Sequence, residues 1–130
     1  MAEADKVVGL WELVEACRID PDGSKTPNYG DNPVGRILYT ADGFMSGHIR
    51  GAGEGTDAPD SVVAYCGAWR LEGDCVVHEV LIGSNYVPSN SIVTRRVNWD
   101  NGELVLTVEG WRPGETAGSR TLRWRRVDGG

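Results

Sequence analysis

The stretch VVAYCGAWRLEGDCVVHEVLI, residues 62–82, decides the fold class of this chain. Inward and outward side chains alternate through both halves with the period of two that a half-buried β-strand requires. Gly73 and Asp74 separate the halves by only a few residues, and glycine supplies the positive φ that a tight hairpin turn needs. The stretch therefore predicts two antiparallel strands, Val62–Leu71 and Cys75–Ile82, joined by a hairpin.

The same period extends over most of the remaining chain. It predicts six further strands, Leu10–Cys17, Val34–Thr40, Gly43–Ile49, Ser91–Trp99, Glu103–Glu109 and Arg120–Val127. Gaps at 19–33, 50–61, 83–90 and 112–119 are rich in Gly, Pro, Ser, Asp or Asn and predict longer loops. The apolar residues between Val7 and Val14 also fit a helical stripe, so a helix or helical turn before the first strand remains an alternative.

Eight sequential strands, several of them joined by short turns, predict an all-β fold. An antiparallel up-and-down meander removes its edges by closing into a barrel. The interior of an eight-stranded barrel is filled by side chains or holds one small ligand. We therefore expect residues 1–130 to form a single eight-stranded antiparallel up-and-down β-barrel domain with a central ligand cavity. A β-sandwich is the alternative.

Composition and charge argue against several classes of partner. The chain has 130 residues, with 13 basic and 19 acidic side chains and a formal net charge of -6. This balance argues against nucleic acid, because phosphate recognition needs a basic field. No stretch approaches the roughly 20 apolar residues of a membrane helix, and no signal peptide is visible. We expect a cytoplasmic monomer or homodimer that binds a small hydrophobic molecule and neither nucleic acid nor membrane.

Other site chemistries lack their motifs. No Gly-rich loop follows a strand and opens a helix, and no GxSxG nucleophile elbow is present. The two histidines have neither HxH nor HExxH spacing, so we expect no metal and no cofactor. Cys17, Cys66 and Cys75 are odd in number and widely spaced, which favours reduced thiols. One disulfide with a free thiol, and a cysteine nucleophile, remain alternatives.

Strand alternation places two unusual polar side chains inside the barrel. His78 is the polar group on an otherwise apolar face of its strand. Arg95 alternates inward with valines and Trp99, and an inward guanidinium needs a partner because an isolated buried charge is costly. The other residues predicted on these inward faces are Val76, Val80, Ile82, Val93, Val97, Tyr65, Trp69, Tyr39 and Met45.

Motifs along the chain are similar in kind and order to those of a known family. They are GLWEL (9–13), PVGRILYTADGFMS (33–46), YCGAW (65–69), VVHE (76–79), RRV (95–97), LVL (104–106) and LRW (122–124). With these motifs the chain resembles the lipocalin-like domain family of small intracellular bacterial and fungal β-barrel proteins. The resemblance implies an eight-stranded barrel with a ligand cavity, and the family's recurring Tyr, His and Arg fall on Tyr65, His78 and Arg95. Where the family usually has Tyr or Phe after its Tyr-x-Gly step, this chain has Trp69.

These three residues are the candidates for catalysis. We expect His78 to act as acid and base, Arg95 to stabilise developing negative charge, and Tyr65 to donate a hydrogen bond. A structural alternative stands beside each role: a core histidine bonded to a neighbour such as Tyr65, an arginine paired internally or packed on Trp99, and a core tyrosine. The expected ligand contacts are Trp69, Tyr39, Met45, Asn85, Tyr86 and Trp99.

Three further aromatic or basic residues have more limited roles. The resemblance implies that Trp11 closes one end of the barrel beneath Arg126. Trp111 is expected to be a lid or a packed loop residue. Alternation places His48 on the outward face of its strand.

We interpret the chain as a cofactor-independent acid–base enzyme of the cyclase, isomerase or hydratase type. The resemblance implies a hydrophobic substrate of the kind found in natural-product biosynthesis. The alternative is a non-catalytic carrier or sensor of a small hydrophobic ligand. A third interpretation, a structural module with a filled core, predicts no cavity.

Overall fold

One short helix and nine strands make up the regular structure of the computed structural model, which describes residues 3–27, 33–50, 62–84, 89–109 and 119–127. Their bounds are α1 (Glu3–Val7), β1 (Gly9–Ile19), β2 (Lys25–Pro27), β3 (Val34–Tyr39), β4 (Phe44–Arg50), β5 (Val62–Glu72), β6 (Cys75–Gly83), β7 (Ile92–Asp100), β8 (Glu103–Glu109) and β9 (Ser119–Arg126). No helix in the described ranges is both long and apolar enough to cross a membrane.

The strands form one antiparallel sheet that closes on itself. The sheet order is β2-β1-β3-β4-β5-β6-β7-β8-β9, and β1 also pairs with β9 along most of its length. Eight strands, β1 and β3 to β9, therefore make a closed up-and-down barrel, while β2 pairs only with the end of β1. The predicted fold class is confirmed, and closure of β1 on β9 excludes the β-sandwich.

All eight predicted strands are present, with ends that differ from the prediction by at most two residues. The alternative of a helix before the first strand is resolved as α1 followed directly by β1. Gly9 joins them with a φ of 136°, a value that side chains rarely allow. The short strand β2 lies within the segment 19–33, which the sequence predicts to be a loop. Its three residues are too few to show an alternating pattern, so the sequence does not predict it.

The two ends of the barrel differ in how the strands are connected. At one end, which we call the hairpin end, tight turns at 40–43, 73–74 and 101–102 join the strands, and α1 enters β1. At the other, the loop end, the connections run through 20–33, 51–61, 84–91 and 110–118. A residue near one end of a strand therefore lies beside tight turns, and a residue near the other end lies beside longer connections.

The hairpin end is closed by Trp11. Its side chain is 1% exposed, and its Nε1 donates to the carbonyl of Val7 at 2.9 Å. The Arg126 guanidinium lies 4.2 Å from the centre of the Trp11 ring and donates to the carbonyls of Val8 and Lys6 at 2.7 and 2.6 Å. The predicted plug is confirmed, and Arg126 fixes α1 across it.

Apart from His78, the buried side chains of the barrel interior are apolar or aromatic. Inward side chains from α1 and from seven of the eight wall strands are buried there, and Val97 of β7 packs against them as a partly buried residue. The buried members of this core are Val7, Trp11, Ile37, Tyr39, Met45, Ile49, Trp69, Val76, Leu104, Leu106 and Trp124.

A bulge in β6 changes the faces at its end. The pairing with β5 shifts between Cys66 and Gly67, so Val80 opposes Gly67 and Ile82 opposes Cys66. The prediction that Ile82 faces inward is therefore wrong: its side chain is 62% exposed. Gly67 is required at the bulge, because a Cβ there would overlap the backbone carbonyl oxygen of Glu79.

Candidate functional site

His78 lies inside the barrel between two tyrosines. Its side chain is 1% exposed. Its Nε2 lies 2.7 Å from Oη of Tyr39, and its Nδ1 lies 2.5 Å from Oη of Tyr65. Both ring nitrogens are thus hydrogen-bonded, and we refer to these three residues as the Tyr–His–Tyr chain.

Three different strands supply the Tyr–His–Tyr chain. Tyr39 ends β3 at the hairpin end, His78 lies in β6, and Tyr65 lies in β5 nearer the loop end. Trp69 is paired directly with His78 in the register of β5 and β6. Its Nε1 donates to the Thr40 carbonyl at 2.9 Å, and its ring meets Tyr39 edge-on at 5.0 Å. Trp69 therefore holds the buried end of the chain in place.

The order of donors in the Tyr–His–Tyr chain follows from proton counting. Tyr39 is buried, and among the described residues its hydroxyl has His78 as its hydrogen-bond partner. A buried hydroxyl without an acceptor is costly, so Tyr39 donates to Nε2 of His78. A neutral imidazole then carries its proton on Nδ1 and donates to Oη of Tyr65. The proton of Tyr65 is left to donate elsewhere.

Burial and charge keep the imidazole neutral. Loss of hydration, with a further contribution from the positive charge of Arg95, lowers the pKa of His78 from 6.5 to about 3. Burial raises the pKa of Tyr39 well above its usual value. At neutral pH His78 and Tyr39 are therefore uncharged, and the donor order derived above applies.

Arg95 lies on the inward face of β7, as the alternation predicts. Its charge acts on both His78 and Tyr39. Its Nη1 donates to the carbonyl of Thr94 at 3.2 Å. Within the described ranges it forms no ion pair with a carboxylate, so the internal ion pair expected as its structural alternative is not found there.

The remaining predicted ligand contacts are distributed unevenly. Tyr39, Trp69 and Met45 belong to the same buried cluster, in which Met45 pairs with Tyr39 across β3 and β4. Trp99 lies apart from them at the hairpin end, 37% exposed, with its ring centre 6.0 Å from that of Trp11. Asn85 and Tyr86, like Trp111, lie outside the described residues.

Tyr39 has a larger role than the sequence predicted. It was expected to shape the pocket, whereas its hydroxyl binds His78 directly. The sequence contained a signal for this contact, because an inward tyrosine hydroxyl needs a partner and His78 was the polar group on an apolar face.

The buried indole nitrogen Nε1 of Trp124 has no hydrogen-bond partner in the described part of the chain.

The other candidate groups do not form a second site. Cys17, Cys66 and Cys75 are free thiols. Burial and a neighbouring carboxylate raise the pKa of both Cys17 and Cys75, which disfavours reactive thiolates. His48 is exposed on the outward face of β4, as predicted. In the described ranges no three His, Cys, Asp or Glu residues cluster in a way that could hold a metal ion.

Comparisons with known proteins agree with the barrel. The family model described as the lipocalin-like domain matches residues 8–56. The fold is similar to the crystal structure of a lipocalin-like protein from Bacteroides uniformis ATCC 8492, with a TM-score of 0.56 and 16% identity over 94% of this chain and 99% of that chain. No curated protein matches significantly. The sequence match over residues 8–56 and the closed barrel together confirm the resemblance to the lipocalin-like domain that the sequence predicts.

Proposed function

We propose that this barrel binds a small hydrophobic molecule and acts on it as a cofactor-independent acid–base enzyme, of the cyclase, isomerase or hydratase type. The observation that carries the proposal is the Tyr–His–Tyr chain. It is an array of three titratable groups, of which His78 and Tyr39 are buried, and it ends on the partly buried Tyr65 nearer the loop end. Convergent polar groups in an apolar barrel interior are typical of small-molecule sites.

Tyr65 is the residue of the chain that would touch the substrate. Because His78 donates to its oxygen, Tyr65 directs its own proton away from His78, and a carbonyl or hydroxyl oxygen of the ligand is the acceptor that we propose. The Nδ1–H of His78 stabilises the negative charge that develops on the tyrosine oxygen as this proton is shared. Tyr65 is therefore the proposed hydrogen-bond or proton donor, as the sequence predicts.

His78 acts through Tyr65 in this proposal. Its pKa of about 3 and its two occupied nitrogens favour a neutral positioning residue over a direct proton carrier at neutral pH. In this proposal His78 does not exchange a proton with the substrate; its hydrogen bond to Tyr65 makes the Tyr65 hydroxyl a better proton donor. Arg95, whose charge acts on the same group, is the proposed stabiliser of an enolate or other developing anion.

A carrier or sensor is the second candidate function. The same hydrogen bonds favour it. Both ring nitrogens of His78 are bonded within the protein, so the residue can line a binding site without exchanging a proton with the ligand. The two functions differ in one respect. The enzyme accelerates a proton transfer in the bound molecule, whereas the carrier binds it unchanged.

Exchange of the α-hydrogens of tetralone for deuterium, followed by proton NMR, tests the proposal. Tyr65 polarises the carbonyl oxygen, Arg95 stabilises the enolate, and the α-proton passes to water. We expect the wild-type protein to accelerate exchange and Tyr65→Phe to lose at least about 100-fold of that acceleration. His78→Gln should lose most of it and alter its pH profile, whereas His48→Gln, on the outward face, is the matched control.

Three results are decisive. Equal acceleration by the wild type and Tyr65→Phe contradicts the role of Tyr65. Binding of tetralone with no acceleration supports the carrier instead of the enzyme. Absence of binding to tetralone and to other small hydrophobic probes supports the filled structural module and overturns both functions.

A further inference from the structure

An apolar surface lies on the outside of the barrel, across β3 to β7. In the described ranges, the four most exposed large hydrophobic side chains all belong to it, at 60–64% exposure. With one further residue they define what we call the apolar face: Leu38, Phe44, Leu81, Ile82 and Ile92. We propose that the apolar face is the contact surface of a symmetric homodimer, in which it packs against the same face of a second copy of this chain.

The register of the sheet brings these side chains together although they are distant in sequence. Two adjacent rows of directly paired residues cross the outer wall. The first row is Leu38, Ser46, Cys66 and Ile82. The second row is Phe44, Ala68, Glu79 and Ile92. Leu81 is the extra residue of the β6 bulge and is exposed beside Ile82. The apolar side chains therefore form one surface.

The shape of the apolar face allows it to pack against itself. Large side chains stand on β3 and β4 at one side and on β6 and β7 at the other. Between them, in the same two rows, β5 presents the small, half-buried side chains of Cys66 and Ala68. A two-fold axis through this shallow groove places large side chains of each copy against the groove of the other. An interface with two-fold symmetry requires such a self-complementary surface.

The exposed area of the apolar face matches what a stable dimer requires. Side chains of this size present on the order of 100–200 Å² when fully exposed. Leu38 is 41% exposed and the other four are 60–64% exposed, so the face offers roughly 400–500 Å² of apolar surface. A standard interface covers about 800 Å² on each partner, of which about 450–500 Å² is apolar. The apolar face is large enough to form the centre of such an interface.

The charges around the apolar face favour a second copy of this chain. Two copies of net charge -6 repel each other, so their contact must exclude unpaired carboxylates. The two rows contain one carboxylate, Glu79, which accepts a hydrogen bond from Arg70 at 2.7 Å. The exposed residues Arg36 and His48 lie in the next row toward the loop end. The surface thus has an apolar centre and a polar border, which is the usual composition of a protein interface.

Sedimentation velocity of the full chain, between about 5 and 200 µM, tests the inference. We expect the wild type to change from the monomer mass to twice that mass, with a dissociation constant of about 10 µM or tighter. Added salt should strengthen the dimer, because it screens the repulsion between two acidic chains. A contact held by ion pairs would weaken instead.

Phe44→Glu and Ile82→Glu are the test variants. Each places a charge from both copies in one apolar contact and should weaken the dimer at least about 100-fold. Both side chains are more than half exposed, so we expect the barrel to fold, and urea denaturation checks this. If a glutamate variant fails to fold, serine at the same position replaces it.

Val34→Glu is the matched control. Val34 is also exposed, at 52%, on the outward side of β3, but it lies four residues from Leu38 toward the loop end and outside the apolar face. This variant should form the dimer as the wild type does.

Three results overturn the inference. A wild type that stays monomeric up to about 200 µM excludes the dimer. A dimer that survives both glutamate substitutions, or that weakens as salt is added, is held by another surface. A monomer that sediments with phosphatidylcholine vesicles, and loses this binding in Ile82→Glu, assigns the apolar face to lipid. None of these results bears on the proposed function, which concerns the inward face of the barrel.

Discussion

Arg126 and Arg120 lie on the same strand, β9, at opposite ends of the barrel. Arg126 stabilises the fold: its guanidinium covers the Trp11 ring and donates to the carbonyls of Val8 and Lys6. Arg120 lies instead on the inward face beside Arg18, on the loop-end side of the core. The comparison shows that the hairpin end is closed by packing, whereas the inward face on the loop-end side of the core carries charged side chains.

The largest effect on stability is expected at the hairpin end. Replacing Trp11, the buried plug, with alanine removes a large side chain from a packed core and leaves a cavity. We expect Trp11→Ala to lower the free energy of unfolding by about 3–5 kcal/mol, measured by urea denaturation. A loss of less than about 1 kcal/mol would show that this end does not hold the barrel together.

A smaller effect separates the two tyrosines of the Tyr–His–Tyr chain. Tyr39→Phe leaves the buried Nε2 of His78 without a donor, which costs about 1–3 kcal/mol of stability. Tyr65→Phe affects a less buried position, where water can replace the lost oxygen, and should cost about 1 kcal/mol or less. Urea denaturation of both variants measures the difference. Equal losses would contradict the view that the two ends of the chain lie in different surroundings.

The alternation of inward and outward residues within each strand predicts most of the barrel wall and many of the side chains at the candidate site. Alternation alone predicts that Tyr65, Trp69 and Arg95 face inward, because side-chain direction in a strand depends only on position along it. It predicts the wrong face for Ile82, because the bulge opposite Gly67 depends on how β5 and β6 pair.

Contacts across the barrel are not encoded in that pattern. Tyr39 and His78 lie on strands that are not neighbours in the sheet, and their hydrogen bond exists because the sheet closes. Periodicity within one strand carries no information about that distance.

The account depends most directly on the donor order of the Tyr–His–Tyr chain, because only that order makes Tyr65 a donor toward a group other than His78. Nitrogen NMR of the imidazole of His78 measures it. The account predicts a neutral ring with its proton on Nδ1, which stays neutral as the pH falls from the ordinary pKa of 6.5 toward about 3. A proton on Nε2, or titration near 6.5, would contradict it.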